Sequence, residues 1–177
     1  MRWSVVFFPA MFIFLFTACS SIKTFSDYDP GVNFKQYKTY TWSTAEQAFN
    51  KDYPQYDNSL NRMRIKKAID AAMQERGYIL QSDRSEADLQ VDFHINLEQK
   101  AVPYHGDDID EIGYGEFQRG GIYQYNEGTL IIHWVDQKRQ EVVWQGVASK
   151  VLDISQIDKA EKTIQQGVQK VFAKLPI

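Results

Sequence analysis

This 177-residue chain has one cysteine, Cys19, and three histidines. A lone cysteine excludes an internal disulfide and any Cys-x-x-Cys zinc or redox pair. The sequence has no Gly-x-Ser-x-Gly elbow and no His-Glu-x-x-His pair, so neither a nucleophile-elbow hydrolase nor a zincin is written in it. It also lacks a basic excess. Twenty Lys and Arg stand against 23 Asp and Glu, a net charge of −3. Removing Arg2 with an N-terminal leader leaves about −4. That balance argues against a nucleic-acid footprint and against wide electrostatic docking on anionic lipid. The N-terminal apolar run, Val5 to Ala18, is shorter than the ~20 residues of a bilayer span, and Pro9 interrupts it. No internal repeat is present.

What is there begins at the N-terminus. Arg2 gives a positive start, an apolar stretch follows, and small residues precede Cys19, which together make a secretory signal. Phe16-Thr17-Ala18-Cys19 resembles the bacterial lipobox, with Ala18 and Cys19 matching and Phe16 standing where Leu is usual. The resemblance implies cleavage between Ala18 and Cys19. It also implies diacylglycerol on the Cys19 thiol and an acyl chain such as palmitate on the new amine. Each buried methylene contributes ~0.8 kcal/mol, and two chains already anchor stably. The thiol is consumed, so stability in an oxidising compartment must come from packing alone. In lipobox proteins Asp after the lipidated Cys favours the inner membrane. Ser20 implies the outer membrane, facing the periplasm. The expected organisation is a signal peptide over 1–18 and a single lipid-anchored domain over 19–177, a length typical of one domain.

The mature segment reads as α+β: a single, mainly antiparallel β-sheet with two amphipathic helices packed on one face. Ile22 to Tyr28 is expected as an edge-like strand, followed by Asp29-Pro30-Gly31 turn chemistry. Tyr37 to Trp42 alternates and is rich in β-formers. Ser43 to Asp57 reads as a loop. Asn58 caps a helix to about Arg76, with Ile65, Ala68, Ile69, Ala72 and Met73 on one stripe and Gly77 as its left-handed stop. Leu89, Val91, Phe93, Ile95 and Leu97 alternate with Gln90, Asp92, His94, Asn96 and Glu98, which predicts one buried and one wet sheet face. Leu130–Val135 and Glu141–Ala148 form a hairpin. The last helix is expected from Asp158, with Asp158-Lys159-Ala160-Glu161 as a capping box and Pro176 as its end. Gly167 is expected to let that helix approach the sheet.

These stretches, in order, resemble one family. Asp27-Tyr28-Asp29-Pro30, Tyr37-Lys38-Thr39-Tyr40-Thr41-Trp42, Ala87-Asp88-Leu89-Gln90-Val91-Asp92-Phe93-His94, Glu127-Gly128-Thr129-Leu130-Ile131-Ile132 and Val143-Trp144-Gln145-Gly146 resemble the domain of unknown function 4136 of bacterial lipoproteins. The likeness covers essentially the whole mature chain. It implies an α+β fold and an envelope address, and it carries over no activity and no catalytic residue.

Candidate chemistry is sparse. His94 and His133 fall on the wet faces of their strands and His105 lies in a loop, without short-range ligand spacing, so no metal site and no cofactor is expected. Asp27, Asp29, Asp92 and Asp136 are candidate paired carboxylates only if the fold brings them together. The segment from Ala101 to Gly121 carries five Gly and five acids, Asp107, Asp108, Asp110, Glu111 and Glu116, without the spacing of a calcium loop. It reads as a long loop. With Tyr104, Tyr114, Phe117, Tyr123 and Tyr125 it is the candidate partner-binding element. The expectation is a non-enzymatic binding or scaffolding lipoprotein of the cell envelope. Its partners would be the membrane, through Cys19, and another envelope protein or a glycan, with no nucleic acid. A deep polar cleft with converging acids would favour an envelope-modifying hydrolase instead, and an apolar cavity a small-ligand or lipid carrier.

Overall fold

The computed structural model describes residues 22–45, 47–104 and 121–176, with Tyr104 described by its backbone. Six strands and two α-helices are formed by these residues. The strands are β1 (Lys23–Tyr28), β2 (Thr39–Trp42), β3 (Ile79–Leu80), β4 (Leu89–Tyr104), β5 (Gly121–Asp136) and β6 (Glu141–Leu152). The helices are α1 (Ser59–Glu75) and α2 (Ala160–Phe172). The strands make one open sheet in the order β1-β6-β5-β4-β2-β3. The β1-β6-β5-β4 part is antiparallel, whereas β2 runs parallel to both β4 and β3. The sheet is therefore mixed, and the expectation of a mainly antiparallel one holds for four strands only. The reason is connectivity. A chain that leaves β2, crosses over through α1 and returns as β3 has the connection that a parallel pair needs.

Both ends of α1 are set by local chemistry. The Asn58 side chain accepts from the Asn61 N–H at 3.0 Å. At the other end Gly77 sits at φ 85°, a left-handed turn that glycine adopts without a Cβ clash. The Tyr78 N–H then bonds the Met73 carbonyl and the Gly77 N–H bonds the Gln74 carbonyl, the pair of bonds of a Schellman stop. Helix α2 begins differently from the capping box expected at Asp158. A 3-10 stretch over Ile154–Lys159 runs straight into it, and the Ala160 N–H already bonds the Ile157 carbonyl. Lys159 at the N-cap of α2 makes no side-chain cap bond among the described residues. The cap lies one turn earlier, where Asp153 accepts from the Ser155 N–H at 2.8 Å.

One core is formed between both helices and one face of the sheet. Leu89 and Val91 of β4, Ile132 and Trp134 of β5, Ile69 and Met73 of α1, and Val168 and Val171 of α2 are fully buried in it. Burial of such aliphatic side chains contributes about 1.5–3 kcal/mol each. An aromatic cluster closes the end near the β5–β6 turn. Trp134 meets Trp144, Phe172 and Tyr78 at ring-centroid distances of 5.1, 5.9 and 5.1 Å. Neither indole N–H of the tryptophan pair has a hydrogen-bond partner among the described residues.

Close packing of α2 on the sheet depends on Gly146, not on Gly167. A Cβ on Gly146 would lie 2.2 Å from Val171 Cγ1 and 2.4 Å from the Trp144 ring. A Cβ on Gly167 would meet the Ala148 methyl at an ordinary 3.6 Å. The close approach expected at Gly167 is therefore made on the sheet side of the contact, at Gly146.

Candidate functional site

Among the described residues no layer of helix or sheet covers the face away from the helices, and none of Gln90, Asp92, His94 and Asn96 on it is buried. Its side chains lie in transverse rows fixed by register. One row is Asp27, Gln145, His133 and Asp92, running from β1 to β4. The next is Phe25, Val147, Ile131 and His94, in which Phe25 is 59% exposed. A third is Lys23, Ser149, Thr129 and Asn96, with the Thr129 and Ser149 hydroxyls 3.1 Å apart.

The first two rows bring both strand histidines together with a carboxylate. His94 and His133 have ring centroids 5.4 Å apart. His94 Nε2 lies 3.1 Å from Asp92 Oδ2. One ligand atom from each of Asp92, His94 and His133 lies within 4.8 Å of the other two. No metal site is expected from short-range spacing, and the fold nonetheless gathers these three potential ligands. The ligand types and strand parity were legible, but only the β4–β5 register aligns Asp92 with His133.

The four carboxylates singled out as candidate pairs do not pair. Asp29 binds Arg139 at 2.9 Å and accepts from the Gly31 N–H, which lowers its pKa. Asp27 accepts from the Tyr28 N–H. Asp136 is buried, accepting from the Tyr37 hydroxyl at 2.7 Å and the Lys138 and Arg139 N–H groups. Burial alone would raise the Asp136 pKa, yet these donors hold it below the usual carboxylate value. Burial and that same carboxylate push the Tyr37 hydroxyl up to about 12. This is structural bonding at a turn.

A second feature is the far end of the β4–β5 hairpin. Strand β6 ends at Leu152, opposite Asn126, and β2 ends at Trp42, opposite Val91. Beyond Asn126 the two strands continue as a two-stranded arm, pairing Lys100 with Tyr125 through to Tyr104 with Gly121. The long loop expected from Ala101 to Gly121 is thus strand at both ends. Pro103 is accommodated because β4 is an edge strand there. Tyr123 and Tyr125 stand on this arm, not in a loop, stacked at 5.8 Å and 24°. Ile122 and Val102 on the arm are 71% and 36% exposed. Tyr114, Phe117, His105 and the five acids lie outside the described residues, as do Ala18, Cys19 and the Tyr104 side chain.

A third feature is an apolar cavity of about 160 Å³ between the sheet and the N-terminal turns of both helices. Ile22, Ile65, Ile95, Leu130, Leu152 and Ile164 line it, with Tyr56, Asn61 and Lys150 at its polar margin. Among the described residues no helix is long and apolar enough to cross a membrane.

The family model described as domain of unknown function (DUF4136) matches residues 24–177. No curated protein matches the chain. Among solved structures, it is similar to a DUF4136 family protein from Bacteroides thetaiotaomicron VPI-5482, at 17% identity and a TM-score of 0.56. That match covers 86% of this chain and 95% of the other. A PDZ domain protein from Parabacteroides distasonis ATCC 8503 is similar at 14% identity and a TM-score of 0.49, over 88% of this chain. The chain spans only 38% of that protein. A PelC dodecamer from Paraburkholderia phytofirmans is similar at 9% identity and a TM-score of 0.44, over 87% and 99% of the two chains.

Proposed function

The chain belongs to the DUF4136 family, and from that premise we propose that it is a lipid-anchored envelope protein that binds a partner protein in its own membrane, without catalysis. The observation that carries this reading is the two-stranded arm. A ribbon of two strands contributes little stability by itself. Here it holds two stacked tyrosines and two exposed aliphatic residues away from the core, in the manner of a contact surface.

The direction of the arm fits the tether. Lys23 opens β1 opposite Ser149, three residues before β6 ends at the base of the arm. The chain therefore enters the sheet from the arm end. Three residues, Ser20 to Ile22, separate a lipidated Cys19 from β1 and span roughly 10 Å at most. An anchored domain holds its arm towards the membrane, within reach of proteins embedded there. Ser20, at the position where Asp would favour the inner membrane, supports the outer membrane as that membrane.

Photocrosslinking residues introduced at Tyr123 and Tyr125, and as a control at Gln137 in the opposite turn, test the reading in intact cells. The expected result is a discrete adduct with an outer-membrane protein from the arm positions and none from Gln137. Equal capture from both ends, or capture only of cytoplasmic proteins, would overturn it.

A second reading rests on the cavity. Its volume is close to that of an engineered apolar cavity that accepts benzene, so it has room for a small apolar group or a chain end. On this reading the protein carries an apolar ligand. Mass spectrometry of the chain under native conditions would show a bound lipid, lost on filling the cavity by Ala160→Phe. A ligand-free protein would dismiss it.

A further inference from the structure

We propose that Asp92, His94 and His133 form a binding site for a divalent transition-metal ion on the open face of the sheet, with Zn²⁺ as its natural-chemistry probe. Two imidazoles and one carboxylate are a donor set suited to Zn²⁺ and its first-row neighbours. Zn–N and Zn–O bonds of ~2.0–2.1 Å at tetrahedral angles place two ligand atoms roughly 3.3 Å apart. His94 Nε2 and Asp92 Oδ2 already stand at 3.1 Å. The whole set lies within 4.8 Å, so small side-chain rotations close it, and the His94 side chain is 44% exposed and free to make them.

The stronger argument is what holds the ligands from behind. A ligating histidine ordinarily donates its other ring N–H to an oxygen acceptor, which fixes its tautomer. Gln145 Oε1 stands 3.0 Å from His133 Nε2 in the neighbouring strand. With Nε2–H donated there, Nδ1 keeps its lone pair for an ion. Asp92 is held in the same way. Its Oδ1 accepts from the Phe93 N–H at 2.8 Å and from the Gln47 amide at 3.3 Å, which leaves Oδ2 turned towards His94. Asp92 thus has one carboxylate oxygen tied down and the other directed at His94, and His133 has one ring nitrogen engaged by Gln145. Three protein ligands leave a coordination position for water or for a donor from a bound partner. The ion would sit beside the apolar row of Phe25, Val147 and Ile131, at a separate place from the arm.

The test is calorimetric titration of ZnCl₂ into the tag-free full chain in detergent, with Co²⁺ absorption as a second readout of ligand geometry. The expected result is one ion per chain, with affinity falling at least about tenfold in His94→Ala, His133→Ala and Asp92→Asn. Gln145→Leu should weaken binding about tenfold while Gln145→Glu, which keeps an acceptor, retains it. His105→Ala and Glu98→Gln should bind as the unaltered chain does. Circular dichroism of each variant establishes that it is folded. No Zn²⁺ bound by the unaltered chain, binding that survives the His94→Ala, His133→Ala double change, or loss of binding in His105→Ala would each overturn the proposal.

Discussion

The strands β4 and β5 are 16 residues long, and their two ends live in different environments. At one end Val91 pairs with Trp134, both fully buried under α1 and α2. At the other Val102 pairs with Tyr123, with no further strand on either side among the described residues. The alternation of side chains and the ladder of backbone bonds are the same throughout. What changes is the number of neighbours. The packed end gains from every apolar side chain it buries. The arm gains little from its own, and Ile122, 71% exposed there, fits the contact surface proposed for the arm.

The largest effect is expected at Gly146. Its Cβ position is occupied by Val171 and the Trp144 ring, both inside the core and unable to move without lifting α2. Gly146→Ala should cost more than about 4 kcal/mol, a large share of the 5–15 kcal/mol that a domain has. Gly167→Ala should be close to neutral in chemical denaturation. Equal losses would mean that α2 does not pack on β6 as described. Trp134→Ala should follow at about 3–5 kcal/mol. Trp134→Phe should cost much less, because the indole N–H it removes has no partner to lose.

The packed end was the legible end. Periodicity places α1 to within a residue, and parity assigns Leu89 and Val91 to the core face and His133 to the other. Capping chemistry at Asn58 and Gly77 is local, so four or five residues state it in full. Three features were hidden because they depend on long-range pairing. The parallel return of β3 follows from where a two-residue strand lands. The extension of the hairpin over Lys100–Tyr104 runs against composition, since Pro and nearby Gly and acids read as loop until the register pairs Pro103 with Ile122. The Asp92–His94–His133 cluster needs β4 and β5 side by side with Asp92 opposite His133. The Asp158 box fits the sequence pattern yet loses to the 3-10 entry, which had already engaged the first helical N–H.

An acid and an alkaline edge should both report on the packed end. Burial alone would raise the Asp88 and Asp136 carboxyls, but Asp88 accepts from the Lys38 and Thr39 N–H groups, and Asp136 from Tyr37 and its own turn. Their native values are lowered. The stability they contribute is therefore present above the unfolded value of about 3.9 and is lost as pH falls through the lower native ones. The Tyr37 hydroxyl shifts the other way, to about 12. Its contribution is present below about pH 10 and is lost as pH rises towards 12. Near-ultraviolet circular dichroism of the tryptophan cluster should change below about pH 4 and above about pH 10. Asp136→Asn should blunt both edges. An unchanged profile in that variant would remove Asp136 from the account.

The smallest effect on stability and the largest on partner capture are expected at the tip. Tyr123 and Tyr125 stack on each other on the two-stranded arm and neither belongs to the buried core, so replacing both by Ser removes one stacked pair, worth about 0.5–1.5 kcal/mol, and leaves the core packing in place. Hydrogen exchange at the packed ends of β4 and β5 should be unchanged, because Val91 and Trp134 keep every neighbour they had. Crosslinking from position 102, beside the tyrosines, should nonetheless fall several-fold in that double variant if the arm is the contact surface. If instead the double change lowers protection at Val91 and Trp134, the arm is part of the fold's cooperative unit, and the division of β4 and β5 into a structural end and a recognition end fails.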